Sequence, residues 1–265
     1  MNEVRQKEFL KELRQASNSY GEADIFRDAC RIFALTLHQQ TIIDKTEYER
    51  YEQEYMSYVE KYGKVGMDHI ANCMGIVVTA LEERREDFLG HILEVLNSTT
   101  KSFGQFFTPE PVSRMMAAVT MGNDKPIPGK FVRMNDPACG AGVLLIEGAE
   151  AFLQRGGRQV DLIIYAEDLD YNACNIAYTQ FSLLGYAARV TRMDSLCCKV
   201  YEGPWWTIGY FAHAIPMRTN CERIFERKEE PDEKKESAPS GETDEKPEPP
   251  SVDVNVRKVV QGELF

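Results

Sequence analysis

Seven consecutive residues, Asp136-Pro137-Ala138-Cys139-Gly140-Ala141-Gly142, join a carboxylate to two glycines one residue apart. The short apolar run Gly129 to Asn135 before them reads as a buried strand, and Val143-Leu144-Leu145-Ile146-Glu147-Gly148-Ala149 after them opens a helix. A glycine-rich turn between strand and helix lets a ligand come close to the backbone, because no Cβ intervenes and positive φ is cheap there. An acid at the start of that turn would repel a pyrophosphate but suits a cationic or hydroxyl-bearing ligand. The chemistry points to S-adenosylmethionine (SAM) rather than to a dinucleotide.

Two later acids stand where such a ligand would need them. The helix from Val143 stops near Arg155 at Gly156-Gly157, and Val160 to Ala166 reads as a second buried strand running into Glu167-Asp168-Leu169-Asp170. A carboxylate at the end of the second strand of such a unit is placed to hold a ribose diol, and Asp168 is the choice over Glu167 and Asp170. A helix with Cys174, Ala177, Phe181 and Leu184 inward ends at Gly185, and Ala187 to Met193 reads as a third strand ending at Asp194-Ser195. Asp194 is placed to accept from an adenine amino group. Alternating strands and helices predict an α/β fold, a parallel doubly wound sheet with its ligand at the C-terminal strand ends.

Residues 1 to about 98 read as helical throughout. Ile25, Phe26, Ala29, Ile32, Phe33 and Leu37 share one helix face, Ile70, Met74, Val77, Val78 and Leu81 a second, and Phe88, Leu89, Ile92, Leu93 and Leu96 a third. Tyr48, Tyr51, Tyr55, Tyr58 and Tyr62 form a ladder at spacings of three and four, interleaved with glutamates, which favours helix packing over stacking on bases. Next comes Gly104-Gln105-Phe106-Phe107-Thr108-Pro109, in which Thr108 can cap a helix opened by Pro109. That helix would turn Val112, Met115, Met116 and Val119 inward. Three parts follow: a helical domain over 1-100, a ligand-binding domain over 101-226, and a tail over 227-265.

Composition narrows the function classes. The 31 basic residues stand against 42 acidic ones, a net charge of -11, unlike a freestanding nucleic-acid binder with its basic face. Residues 222-250 hold eleven acids and six bases among prolines and serines, so this stretch cannot bury a core and should be a disordered acidic tail, while the rest is still acidic. No run approaches the roughly 20 apolar residues of a membrane span, and the N-terminus has no signal-peptide core, which predicts a cytoplasmic protein. Seven cysteines without a CxxC pair fit reduced thiols, Cys197-Cys198 being the one adjacent pair; His38, His69, His91 and His213 form no metal-binding cluster.

Taken together, Asp87-Phe88-Leu89-Gly90, Gly104 to Pro109, Asp136 to Gly142, Glu167-Asp168 and Asp194 resemble the adenine-specific (N6) DNA methyltransferases, especially the modification subunit of type I restriction systems and its phage or mobile-element relatives. The resemblance implies a Rossmann-like SAM-dependent methyltransferase sheet behind an N-terminal helical domain. It implies that Phe106, Phe107, Thr108 and Pro109 hold the methionine end and cover the cofactor. Asp136, Pro137, Ala138, Gly140 and Gly142 would form the turn against it, Asp168 would take the ribose and Asp194 the adenine. DNA would be the partner, reached with or without a specificity subunit.

The same family carries Asn or Asp followed by Pro-Pro-Tyr or Pro-Pro-Phe, because a flipped adenine must be held at its exocyclic amine and stacked on an aromatic ring. No such tetrapeptide occurs in this sequence, where Asp194-Ser195-Leu196 runs into Cys197-Cys198 and then Gly203-Pro204-Trp205-Trp206. The departure implies weakened or lost methyl transfer, or a noncatalytic SAM-binding accessory acting through partners. Gly203 to Trp206 reads either as a rewritten base-stacking loop or as hydrophobic closure of a short sheet, and no catalytic residue is assigned. At the end of the tail, Gln261, Leu264 and Phe265 resemble the peptide by which bacterial proteins dock on the replication sliding clamp, with an ordinary terminus or an edge strand from Val252 to Val256 as the plainer reading.

Overall fold

The computed structural model describes residues 3–100, 110–120, 125–127 and 129–214. Four helices come first, each placed by an apolar stripe at helical spacing. Helix α1 (Glu3–Ala16) buries Phe9, Leu13 and Ala16, and α2 (Glu22–His38) buries Ile25, Phe26, Ala29, Ile32 and Phe33. Helix α3 (Lys45–Glu83) starts at Asp44, whose carboxylate accepts from Glu47 N–H at 2.8 Å, and is interrupted at Gly63. Helix α4 (Phe88–Thr100) buries Phe88, Leu89, Ile92, Leu93 and Leu96. These are the faces the periodicity predicts. Within the tyrosine ladder Tyr51 and Tyr62 are buried, Tyr55 and Tyr58 are partly so, and Tyr48 is exposed.

Helix α5 (Glu110–Thr120) corrects one expectation. Ser113 and Ala117 face inward, while Val112, Met115, Met116 and Val119 face out, with Met115 63% and Val119 76% exposed. The small residues let α5 approach the next helix, and Arg114 Nε reaches Glu147 Oε2 there at 3.2 Å. Strand β1 (Val132–Asp136) follows, then α6 (Val143–Gln154), β2 (Leu162–Asp168), α7 (Tyr171–Leu183), β3 (Ala187–Asp194) and β4 (Lys199–Trp206).

The sheet order is β1-β2-β3-β4, with the first three strands parallel and β4 antiparallel to β3. The strands advance in one direction with no reversal. Because a strand-helix-strand crossover is right-handed, α6 and α7 therefore lie on one face of the sheet, so the described strands are singly rather than doubly wound. Strand β1 is an edge strand of alternating burial, with Arg133 and Asn135 exposed, instead of the fully buried strand expected. Leu162, Ile164, Ala166, Ala188 and Val190 point to the helical face and share one core with residues of α1 to α4. Ile163 packs on the other face with Phe131, Tyr165 and Tyr210.

Strand β4 replaces the loop reading of Gly203 to Trp206. Trp205 is buried and stacks on His38 with ring centroids 4.1 Å apart, and its Nε1–H donates to Tyr51 Oη at 3.1 Å. Arg31, itself buried, lies over the same indole at 4.8 Å and pairs with Glu54 and Glu202 at 2.7 Å each. One aromatic and ionic joint thus ties α2 and α3 to the sheet. Burial, helped by the Arg31 and Arg50 charges, pushes the His38 imidazole down to about 3, so it is neutral in the fold.

Candidate cofactor site

The turn Asp136 to Gly142 lies at the C-terminal end of β1 and leads into α6. Its shape is set by backbone bonds first: Cys139 N–H donates to Glu167 O and Gly142 N–H to Cys139 O, both at 2.9 Å. Gly140 and Gly142 have φ of 56° and 94°, a region that favours glycine. The two glycines differ in what surrounds them. A Cβ at Gly142 would stand 2.7 Å from Phe181 Cζ, whereas one at Gly140 would meet nothing within 4 Å among the described residues. Gly142 is therefore required by packing from below, while the space beside Gly140 is free of the described residues.

Three carboxylates stand around this opening. Asp136 Oδ1 accepts from Ala138 N–H at 3.0 Å within its own turn. Burial raises the Asp136 carboxyl above its ordinary range, and the nearby Asp168 charge raises it further, only partly offset by the Ala138 bond. Asp168 Oδ2 accepts from Gly140 N–H and Oδ1 from Asp170 N–H, both at 2.8 Å. A carboxylate offers about four lone-pair sites, so these two bonds leave acceptor capacity for a hydroxyl. Glu167 is engaged by Arg189 at 2.9 Å.

The end of β3 reaches the same place through Ser195, whose hydroxyl donates to Pro137 O at 2.8 Å. Asp194 does other work: its Oδ1 accepts from Leu196 and Cys197 N–H and shapes the turn into β4. Contact with Cys197 and these N–H groups lowers its carboxyl. The turn thus brings together Asp136, Pro137, Ala138, Gly140, Gly142 and Asp168, with Asp194 beside them and occupied locally. Phe106, Phe107, Thr108 and Pro109 lie outside the described residues, as do Gln261, Leu264 and Phe265. Trp205 and Trp206 pair with Val190 and Arg189 at the start of β3, the opposite end from Asp194, so neither strand residue stands at the turn.

Sequence spacing did not single out Gln180 or Ser195. Gln180 is fully buried in α7 and donates to Ala141 O at 3.1 Å and Asp87 Oδ1 at 2.8 Å. The one signal was Asp87 itself, an acid three residues before Gly90 at a helix start, the pattern of a capping residue. Among the described residues no His, Cys, Asp and Glu group is arranged to hold a metal, and no helix is long and apolar enough to cross a membrane. The donor set fits a cationic, hydroxylated organic ligand: paired acids, an open glycine and backbone amides.

Comparison with known proteins gives a match of residues 84–201 to the N-6 DNA Methylase family model. No curated protein matches the chain. Among solved structures, the chain is similar to a protein provisionally assigned as a class I SAM-dependent methyltransferase from Listeria monocytogenes, at 17% identity and a TM-score of 0.44 over 74% of this chain and 55% of that one. It is also similar to a type I restriction-modification methyltransferase subunit from Streptococcus thermophilus, at 13% identity and a TM-score of 0.40 over 73% and 58%. A modification subunit assigned provisionally to a type I restriction enzyme of Vibrio vulnificus follows at 20% identity and 0.33, over 56% and 28%. The chain thus spans less than two thirds of each of these structures.

Proposed function

We propose, for a chain whose residues 84–201 match the N-6 DNA Methylase family model, that it binds SAM at the Asp136 to Gly142 turn and serves in methylation of adenine N6 in DNA. The observation that carries the reading is the pair Asp136 and Asp168 at adjacent strand ends beside the open Gly140. The Asp168 charge disfavours the ionised form of Asp136, and a cationic ligand beside them relieves that repulsion. When bound, SAM supplies an electrophilic methyl group on a sulfonium.

The residues of the chain then have distinct tasks. Asp136 attracts the ammonium end of the ligand. Asp168 holds Gly140 in place through its N–H and offers its remaining lone pairs to the ribose hydroxyls. Asp194 keeps the β3–β4 turn shaped beside them, with its outer oxygen directed to the adenine amino group in this reading. DNA is reached through a base-reading subunit, in keeping with the acidic balance of this chain.

The test is transfer of labelled methyl from SAM to adenine-containing duplex DNA, by the full chain alone and with a specificity subunit. The proposal expects incorporation that Asp136→Ala abolishes. SAM binding without incorporation on any DNA would sink the enzymatic reading and favour a cofactor-holding accessory, which the lack of a Pro-Pro-aromatic tetrapeptide would then explain.

A further inference from the structure

The buried amide of Gln180 connects two features that the sequence keeps far apart. Its Oε1 accepts from Leu89 N–H at 3.0 Å, and its Nε2 donates to Asp87 Oδ1 at 2.8 Å and to Ala141 O at 3.1 Å. The orientation of the amide is fixed by its partners: Leu89 N–H can only donate, and the Ala141 carbonyl can only accept. Asp87 Oδ1 also accepts from Gly90 N–H at 2.9 Å. Asp87 and Gln180 therefore satisfy two first-turn N–H groups of α4 that would otherwise be buried without partners.

The third bond does something that capping α4 does not need. Ala141 lies between Gly140 and Gly142, and its carbonyl is drawn toward the protein interior by Gln180. The next residue of α7, Phe181, occupies the space where a side chain at 142 would go. Residues 180 and 181 together shape the turn from beneath, while Asp168 fixes Gly140 from the ligand side.

We propose that Gln180, supported by Asp87, is a positioning residue that holds the Gly140-Ala141-Gly142 backbone in the ligand-binding conformation and so couples the start of α4 to cofactor affinity. This rests on the reading of the turn as a SAM site. A role confined to packing α4 on α7 would leave the turn and its ligand unaffected by loss of the amide, provided the fold persists. Removing the amide alone would take one of two hydrogen bonds from the buried Asp87 Oδ1, so the informative comparison is made in an Asp87→Asn background, where that acceptor oxygen remains without an ionisable group.

The experiment compares the full chain, Asp87→Asn and Asp87→Asn/Gln180→Met by calorimetric SAM titration and by amide hydrogen exchange without ligand. Asp87→Asn sets the reference SAM affinity against which the double variant is read. The double variant is expected to lose about tenfold in affinity and to exchange about tenfold faster at Cys139, Gly140 and Gly142, as for one lost buried hydrogen bond. Exchange in β2 and the middle of α7 should stay as in Asp87→Asn. Unchanged exchange at those three amides, or an equal acceleration across α4, α7 and β2, overturns the proposal. Failure of the wild-type chain to bind SAM would sink the cofactor reading instead, and the local exchange result would still decide whether Gln180 positions the turn.

Discussion

Asp136 is poorly placed for stability and well placed for a cation. Its folded carboxyl is raised above the ordinary value of 3.8 by burial and by Asp168. The folded chain therefore holds this proton more tightly than the unfolded chain, and stability declines as pH rises through that window. Asp136→Asn should consequently raise the urea midpoint near neutral pH, with the gain vanishing below the ordinary value, while weakening SAM by roughly tenfold or more through loss of a charge-assisted contact. Denaturation at two pH values and titration of the same variant check both signs. Gly142→Ala should destabilise the fold by about 1–3 kcal/mol, because it combines positive φ with a clash against Phe181, as read by chemical denaturation. These residues were legible because the turn is contiguous in sequence. Gln180 was not, because its partners Asp87 and Ala141 lie 93 and 39 residues away and no local spacing marks such a bond.

At the scale of elements, the joint of α2, α3 and α7 with β4 makes the most definite predictions. His38 falls from its ordinary 6.5 to about 3 on folding. Between those values the unfolded chain binds a proton that the folded chain does not, so the contribution is fully present above the ordinary value and is lost as pH falls. The wild type should lose about 2 kcal/mol from this group between about pH 7 and pH 5, and His38→Phe should remove that part of the slope, measured by urea denaturation with tryptophan fluorescence. Arg31→Leu should cost about 3 kcal/mol, since it leaves Glu54 and Glu202 facing each other without their shared cation. Helix α5 shows where periodicity stops being informative. Val112, Met115, Met116 and Val119 do share a face, but packing on α6 is made by Ser113 and Ala117, whose size permits close approach. Hydrophobic spacing says which residues lie together, and only tertiary contacts say which side is inward. Strand β4 was hidden for a related reason: a glycine and a proline interrupt Lys199 to Trp206, and pairing with β3 overrides that local signal.

For the whole molecule, the order of helices and parallel strands followed from apolar periodicity and from the glycine stops at Gly156 and Gly185. The direction of winding did not, because sequence alternation fixes neither which strands are adjacent nor on which face the helices fall. The resulting sheet places the Asp136 to Gly142 turn and the Asp168 carboxylate at neighbouring C-terminal strand ends, with the N-terminal helices packed through α7 onto the same core. That arrangement supports the proposal that this turn is where SAM binds. Calorimetric titration of SAM into the full chain and into Asp136→Ala tests it most directly. A single saturable site is expected in the wild type, weakened by about tenfold or more in the variant. No binding by the wild type, or equal binding by both proteins, would contradict it.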